Sequence, residues 1–254
     1  DVAFIILNGE KVHEKYIDML EPQVRIIKFD GERKERLAQY RQYIRTAAPD
    51  LIFSYLTAAN YYSVRASRGT ATRVVTGIRN SKLPLTKHIA DAILSRWGGV
   101  ASVSNCESGK RHFAAIGFKR SKIEVIPNCF DPIDDYRERP EKDTVDVITV
   151  GRFVAQKDYH TAIRAVAEAA RGIPKLRFTI IGYGELEAQV RGWVSEAGIN
   201  DITRIFINSD HISEELRNAD IYLSTSLFEG ISNSIMEGMN ADMPVVATSV
   251  GDNE

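Results

Sequence analysis

Short aliphatic and β-branched runs alternate with longer stretches whose apolar residues recur at helical spacing. The runs are Val2–Leu7, Val24–Phe29, Leu51–Tyr55, Arg73–Thr76, Gly99–Val103, Ile123–Ile126, Val145–Val150, Leu176–Ile181, Ile205–Ile207, Ile221–Ser224 and Pro244–Thr248. Several are apolar at consecutive positions, as strands of a parallel sheet covered on both faces must be. Helical periodicity falls over Lys34–Ala47, His160–Ala170, Leu186–Ala197 and Glu214–Ala219. This βαβ alternation predicts an α/β protein built from doubly wound parallel sheets.

The segment Asp131–Asp146 interrupts the pattern: it is charged, contains prolines and offers no core positions. It predicts two Rossmann-like domains, residues 1–135 and 145–254, joined by a linker at 136–144. A ligand is expected in the cleft between them, outside the carboxyl ends of the strands. Both outer ends read as incomplete. The chain opens directly on a strand, and it closes on a strand and a Gly turn.

Bulk chemistry narrows the function. Among 254 residues, Lys+Arg is 33 and Asp+Glu is 34, a net charge of −1, which gives no support for nucleic-acid binding. Cys106 and Cys129 lack metal-type spacing and read as free thiols of a reducing cytosol. The 5 histidines show neither HxH nor HExxH spacing, so no metal site is expected. No apolar run approaches a membrane span and no signal peptide is seen, so a cytoplasmic location is expected.

Candidate chemistry concentrates in the second half. In FEGISNSIMEGM, Glu229 and Glu237 bracket a polar turn that runs into a helix start. A helix start presents unpaired N–H groups and a positive dipole end to phosphate. A carboxylate accepts hydrogen bonds from paired hydroxyls of a sugar or ribose. Upstream, Gly151 at a strand tip permits close backbone approach. Arg152 and Lys157 follow as a fork and a point charge for a diphosphate. The plainer alternative makes both solvated loop cations.

Other features weigh less. In IIGYGELE the third Gly of a dinucleotide fingerprint is replaced by Glu187, which counts against NAD. Its glycines read instead as a turn needing positive φ, with Tyr183 free to line a cleft. Asn128, after Pro127, reads as a hinge turn. In the first half, Arg79, Asn80 and Asn105 end strands and are acceptor-side candidates. Lys110, Arg111, Lys119, Arg120 and Lys122 form a basic patch with Phe113 and Phe118 among them. It reads either as a solvated helix face or as a peripheral contact with an anionic membrane. No Ser-His-Asp or Cys-His arrangement can be assigned from spacing.

Together VGRFVAQKD, IIGYGELE, ADIYLSTSLFEGISNSIMEGM and PVVATSVG resemble, in order and spacing, the donor half of retaining GT-B-fold glycosyltransferases of the E-x7-E group 1 type. PDLIFSYLTAANYY, RVVTGIRNS, VSNCESGKRHFAAIGF and KIEVIPNCFD are similar to its acceptor half. The resemblance implies that Arg152 and Lys157 bind the donor diphosphate and stabilise the leaving group. It assigns Glu229 to the transferred sugar and Glu237 to the ribose. It assigns Gly151, Gly230 and the backbone of Ile231, Ser232, Asn233 and Ser234 to donor binding. No metal or other cofactor is implied, the helix start and cations doing that charge work. Neither Glu is implied as a nucleophile, unlike in retaining glycosidases.

The resemblance therefore implies a retaining hexosyl- or N-acetylhexosaminyl-transferase. It would use a nucleotide-diphospho sugar, UDP- or GDP-linked, and a saccharide or lipid-linked acceptor of surface-polysaccharide or glycolipid type. The alternatives are a sugar-nucleotide epimerase or hydrolase of the same fold, or a non-catalytic module. Two departures stand out. The His that many members carry in the first half has no counterpart in Thr76–Asn80, and Gly238 replaces the usual Ala.

Overall fold

The computed structural model describes residues 2–7, 17, 20, 24–78, 85–97, 101–129 and 141–253. The chain forms two compact units, Asp1–Ile126 and Pro127–Glu254. They divide ahead of the 135/136 boundary read from composition, and residues 130–140 lie outside the described residues.

In the first unit, β1 (Ala3–Ile6) pairs in parallel with β2 (Arg25–Lys28). Helix α1 (Arg33–Ala47) starts where the Glu35 carboxylate accepts the Glu32 N–H at 2.9 Å, and ends at Ala48 with φ 43°. A second parallel sheet runs in the order β3 (Leu51–Tyr55), β4 (Arg73–Ile78), β5 (Ala101–Ser104), β6 (Ile123–Val125). Helices α2 (Thr57–Ala66), α3 (Leu85–Trp97) and α4 (Glu107–Ala115) connect its strands. Tyr40 and Ile44 of α1 share a core with Ile52, Val74 and Ala66.

Helices α2 and α3 are not among the predicted ones. Helix α2 carries aromatic and β-branched residues of poor helical propensity. It is held by burial instead: Tyr62, Val64 and Ala66 enter the core, and buried polar groups pair beside them. The Ser54 hydroxyl donates to Asn60 Oδ1 at 2.8 Å, and Asn60 Nδ2 donates to the Gly77 carbonyl at 3.3 Å.

The second unit holds a parallel sheet in the order β11 (Val245–Ala247), β10 (Ile221–Ser224), β7 (Val145–Arg152), β8 (Leu176–Tyr183), β9 (Thr203–Ile207). Its central strands are buried on both faces. Val147, Phe178 and Ile180 pack with Ile163 of α5 (Tyr159–Ala170) and Val190 of α6 (Glu187–Glu196). Ile148, Ile181 and Tyr222 pack on the opposite face with Leu216 of α7 (Ile212–Asn218) and Ile235 of α8 (Asn233–Asn240). The order reverses between β7 and β10. A ligand crevice in an open α/β sheet lies at this switch, outside the carboxyl ends of the strands.

The reading of IIGYGELE needs one correction. Only Gly184 has positive φ, at 147°. Gly182 lies inside β8, opposite Gly151, and is Gly for steric reasons. A Cβ there would sit 2.0 Å from the Gly151 carbonyl oxygen and 2.6 Å from the Phe153 ring. Phe153 is fully buried; its N–H donates to the Tyr183 carbonyl at 2.7 Å and its carbonyl accepts from Leu186 N at 3.0 Å. The G-x-G segment thus seats the turn that carries Arg152 and Lys157.

This contrast is testable. Gly182→Ala should lower the denaturation midpoint, with overpacking costing about 1–3 kcal/mol or more. Gly192→Ala on α6, where a Cβ meets nothing within 4 Å, should raise it by about 1 kcal/mol. Chemical denaturation of both variants checks the opposite signs.

Candidate active site

Strand β7 delivers Gly151 and Arg152 at its carboxyl end. A short 3-10 turn, Ala155–Lys157, follows, and Asp158 at φ 45° caps α5 by accepting from Thr161 N–H at 3.3 Å. Strand β10 delivers Thr225–Gly230 from the other side of the switch point. The Arg152 side chain is exposed and has no hydrogen-bond or ion-pair partner among the described residues.

Lys157 and Glu229, predicted as separate donor contacts, meet directly. Lys157 Nζ lies 2.7 Å from Glu229 Oε1, with side-chain exposures of 18% and 10%. Burial to that degree makes each charge depend on the other, since an unpaired one would have to be desolvated without compensation. Gln156 Nε2 donates to the Phe228 carbonyl at 2.9 Å and lies 3.4 Å from Glu229 Oε2.

Main-chain contacts fix the two loops against each other. Leu227 N–H donates to the Gln156 carbonyl at 2.8 Å. The Thr225 hydroxyl lies 3.1 and 2.8 Å from the Lys157 and Asp158 carbonyls. The segment after β11 closes the far side, where Asp252 N–H donates to the Gly230 carbonyl at 2.9 Å. Gly251, at φ 64°, leaves room for that approach: a Cβ would lie 2.4 Å from the Glu229 carbonyl oxygen.

Ser232 is the N-cap of α8, yet its side chain accepts none of the helix's first N–H groups. The Ser232 and Ser234 hydroxyls lie 3.2 Å apart, and Met236 N–H makes the first helical bond to the Ser232 carbonyl at 3.1 Å. The amides of Asn233–Ile235 therefore point out of an uncapped helix start, where an anion is favoured. Asn128, read as a hinge residue, donates from Nδ2 to Asn233 Oδ1 at 2.5 Å.

Glu237 lies on α8, half-buried. Burial raises its pKa above the ordinary carboxylate value, and the Lys157 charge offsets only part of that. Burial likewise pushes up the Tyr159 and Tyr222 hydroxyls. Both act as neutral donors beneath the site, Tyr159 to the Gly151 carbonyl at 2.7 Å and Tyr222 to the Val150 carbonyl at 3.1 Å. Gly238 packs on Tyr222, and a Cβ would lie 2.6 Å from the ring. This accounts for Gly where Ala is usual.

The structure thus gathers Gly151, Arg152, Lys157, Glu229, Gly230, Ile231, Ser232, Asn233, Ser234 and Glu237 within one unit, on elements that adjoin the switch point. Gln156, Thr225 and the Gly251–Asp252 closure escape sequence reasoning, because a neutral loop side chain and a main-chain contact leave no pattern. Arg79 and Asn80 lie outside the described residues. Asn105 follows β5, and its Oδ1 is buried with no hydrogen-bond partner among the described residues. Of the basic patch, Arg111, Lys119 and Arg120 are exposed, Lys110 and Lys122 half-buried. Phe113 and Phe118 are core residues, 2% and 4% exposed. Among the described residues no group of three or more His, Cys, Asp or Glu side chains could hold a metal, and no helix is long and apolar enough to cross a membrane.

Residues 132–254 match the family described as glycosyl transferases group 1. The match spans most of the second compact unit. It is 26% identical over 203 residues to 2-deoxystreptamine glucosyltransferase of Streptomyces kanamyceticus, covering 74% of this chain and 52% of that one. It is also 26% identical over 207 residues to a putative colanic acid biosynthesis glycosyltransferase of Escherichia coli, covering 76% and 50%. The chain therefore spans about half the length of these curated relatives.

Among solved structures it resembles Anabaena HepE in complex with UDP-glucose, with TM-score 0.79 and 19% identity over 94% of this chain and 70% of that one. It also resembles the apo lipopolysaccharide outer core galactosyltransferase WaaB, with TM-score 0.76 and 17% identity over 98% and 71%. These likenesses establish the GT-B fold.

Glu237 yields a prediction with a definite sign. A pKa raised in the native state means that the folded protein holds the proton more tightly than the unfolded chain. Stability then falls as pH rises from the unfolded value through the native one. Glu237→Gln should raise the melting temperature at pH 7, and the gain should vanish below about pH 4. Calorimetric melts at both pH values check this.

Proposed function

We propose that the protein transfers a hexose or N-acetylhexosamine from a UDP-sugar to a saccharide or lipid-linked acceptor, with retention of configuration. The observation that carries this reading is the placement, within one unit, of a helix start without a side-chain cap, an Arg152 side chain with no partner among the described residues, and the Lys157–Glu229 pair, on elements that adjoin the sheet's switch point. Two cationic side chains and a row of amides match a diphosphate, and carboxylates at either end match sugar and ribose hydroxyls. UDP is favoured over GDP because HepE was solved with UDP-glucose.

Arg152, Lys157 and the α8 amides would neutralise charge developing on the leaving nucleoside diphosphate, the term that dominates such reactions. Glu237 would hold the ribose. Glu229 would accept hydrogen bonds from the transferred sugar. Its carboxylate is engaged by Lys157 and faces Gln156, which suits an acceptor better than an attacking group. The departing phosphate oxygen would then take the acceptor's proton on the same face. Exposed Arg111, Lys119 and Arg120 support an electrostatic approach to an anionic membrane surface.

Arg152→Ala gives the cleaner test, since the Arg152 side chain holds no hydrogen bond or ion pair among the described residues. UDP affinity by calorimetry should fall about tenfold or more, as a charge-assisted bond is worth roughly 1.5–3 kcal/mol, with the melting temperature unchanged. Lys157→Met should weaken UDP similarly but also lower the melting temperature, by about 1–3 kcal/mol of stability, because Glu229 loses its partner. Unchanged UDP affinity in both variants overturns the diphosphate assignment. UDP release that needs no acceptor points to hydrolysis instead.

A further inference from the structure

We propose that Gln156 is a positioning residue that sets the plane of the Glu229 carboxylate and thereby the choice of donor sugar; this rests on reading Glu229 as the sugar contact. A terminal carboxylate turns easily about its last bond, because that torsion is broad and two-fold. One ion pair leaves it a pivot. Here the other oxygen has its own neighbour: Lys157 Nζ holds Oε1 at 2.7 Å, and Gln156 Nε2 lies 3.4 Å from Oε2. Held at both oxygens, the carboxylate no longer pivots about one contact.

The rest of Gln156 is built for this task. Its carbonyl accepts Leu227 N–H at 2.8 Å, so its backbone is tied to the loop that carries Glu229. Its carboxamide faces two acceptors, the Phe228 carbonyl at 2.9 Å and the Glu229 carboxylate. The two N–H bonds of an NH₂ group can serve both, and an amide oxygen could serve neither, which fixes the rotamer. The site is half-buried, which limits competition from water.

Residue type matters equally. A second cation here would be drawn to the diphosphate as well as to Glu229, and a second carboxylate would repel Glu229. A neutral amide orients the carboxylate without altering the charge. Epimeric sugars differ in the direction of one hydroxyl. A fixed acceptor plane discriminates between them because the wrong epimer leaves a polar group unpaired.

The test compares wild type, Gln156→Met and Gln156→Glu for binding of UDP, UDP-glucose and UDP-galactose by calorimetry, with melting temperatures alongside. The expected result for Gln156→Met is UDP affinity within about twofold of wild type, while the preference between the two UDP-sugars shrinks about tenfold or more. Gln156→Glu should lose the preference and bind both UDP-sugars more weakly. The proposal is overturned if either variant keeps the wild-type preference, if UDP affinity falls in parallel with sugar affinity, or if wild type shows no preference. A wild-type protein that binds no UDP overturns this proposal and the donor assignment together. UDP binding with a retained preference overturns this one alone.

Discussion

The second unit is organised around one contact, the Lys157 ammonium against the Glu229 carboxylate at 2.7 Å. Neither group is exposed enough for water to replace the other, so the pair is worth more as a constraint than as net stabilisation. It can form only if the turn after β7 and the loop after β10 meet at a set distance. Everything nearby serves that meeting. The G-x-G segment seats Phe153 under the first loop, Thr225 ties the loops together, and Gly251 lets the chain close over the second.

The same constraint explains where charge is left unsatisfied. Lys157 is occupied by Glu229, Arg152 stands without a partner among the described residues, and α8 begins without a side-chain cap. A protein optimised only for stability would cap that helix and pair that arginine. Glu237 points the same way, since its burial costs stability near neutrality. Strain and unmet polarity of this kind concentrate at functional sites.

Much of the frame was legible from sequence because both faces of the central strands are buried. Val145–Val150 and Leu176–Ile181 read as strands because apolar residues fall on both of their faces. The ends were less legible. Strand β8 runs on through Gly182 and Tyr183, where sheet pairing overrides residue preference. Helix α2 was missed because it is stabilised by core packing of Tyr62, Val64 and Ala66 and by the Ser54–Asn60 bond, not by propensity. The charged site residues were readable as chemistry, but that Lys157 and Glu229 face each other was not. Gln156 had no signature at all, since its role exists only once two loops are folded together.

The frame that presents Glu229 is held largely by main-chain atoms: Leu227 N–H on the Gln156 carbonyl, the Thr225 hydroxyl on two carbonyls, Asp252 N–H on the Gly230 carbonyl. Backbone bonds survive most exchanges of the side chains they carry. Such a loop can therefore change its lining by mutation without first becoming unstable. Diversification of preference within a lineage is then a matter of swapping residues on a main-chain trellis that stays in place, one step at a time.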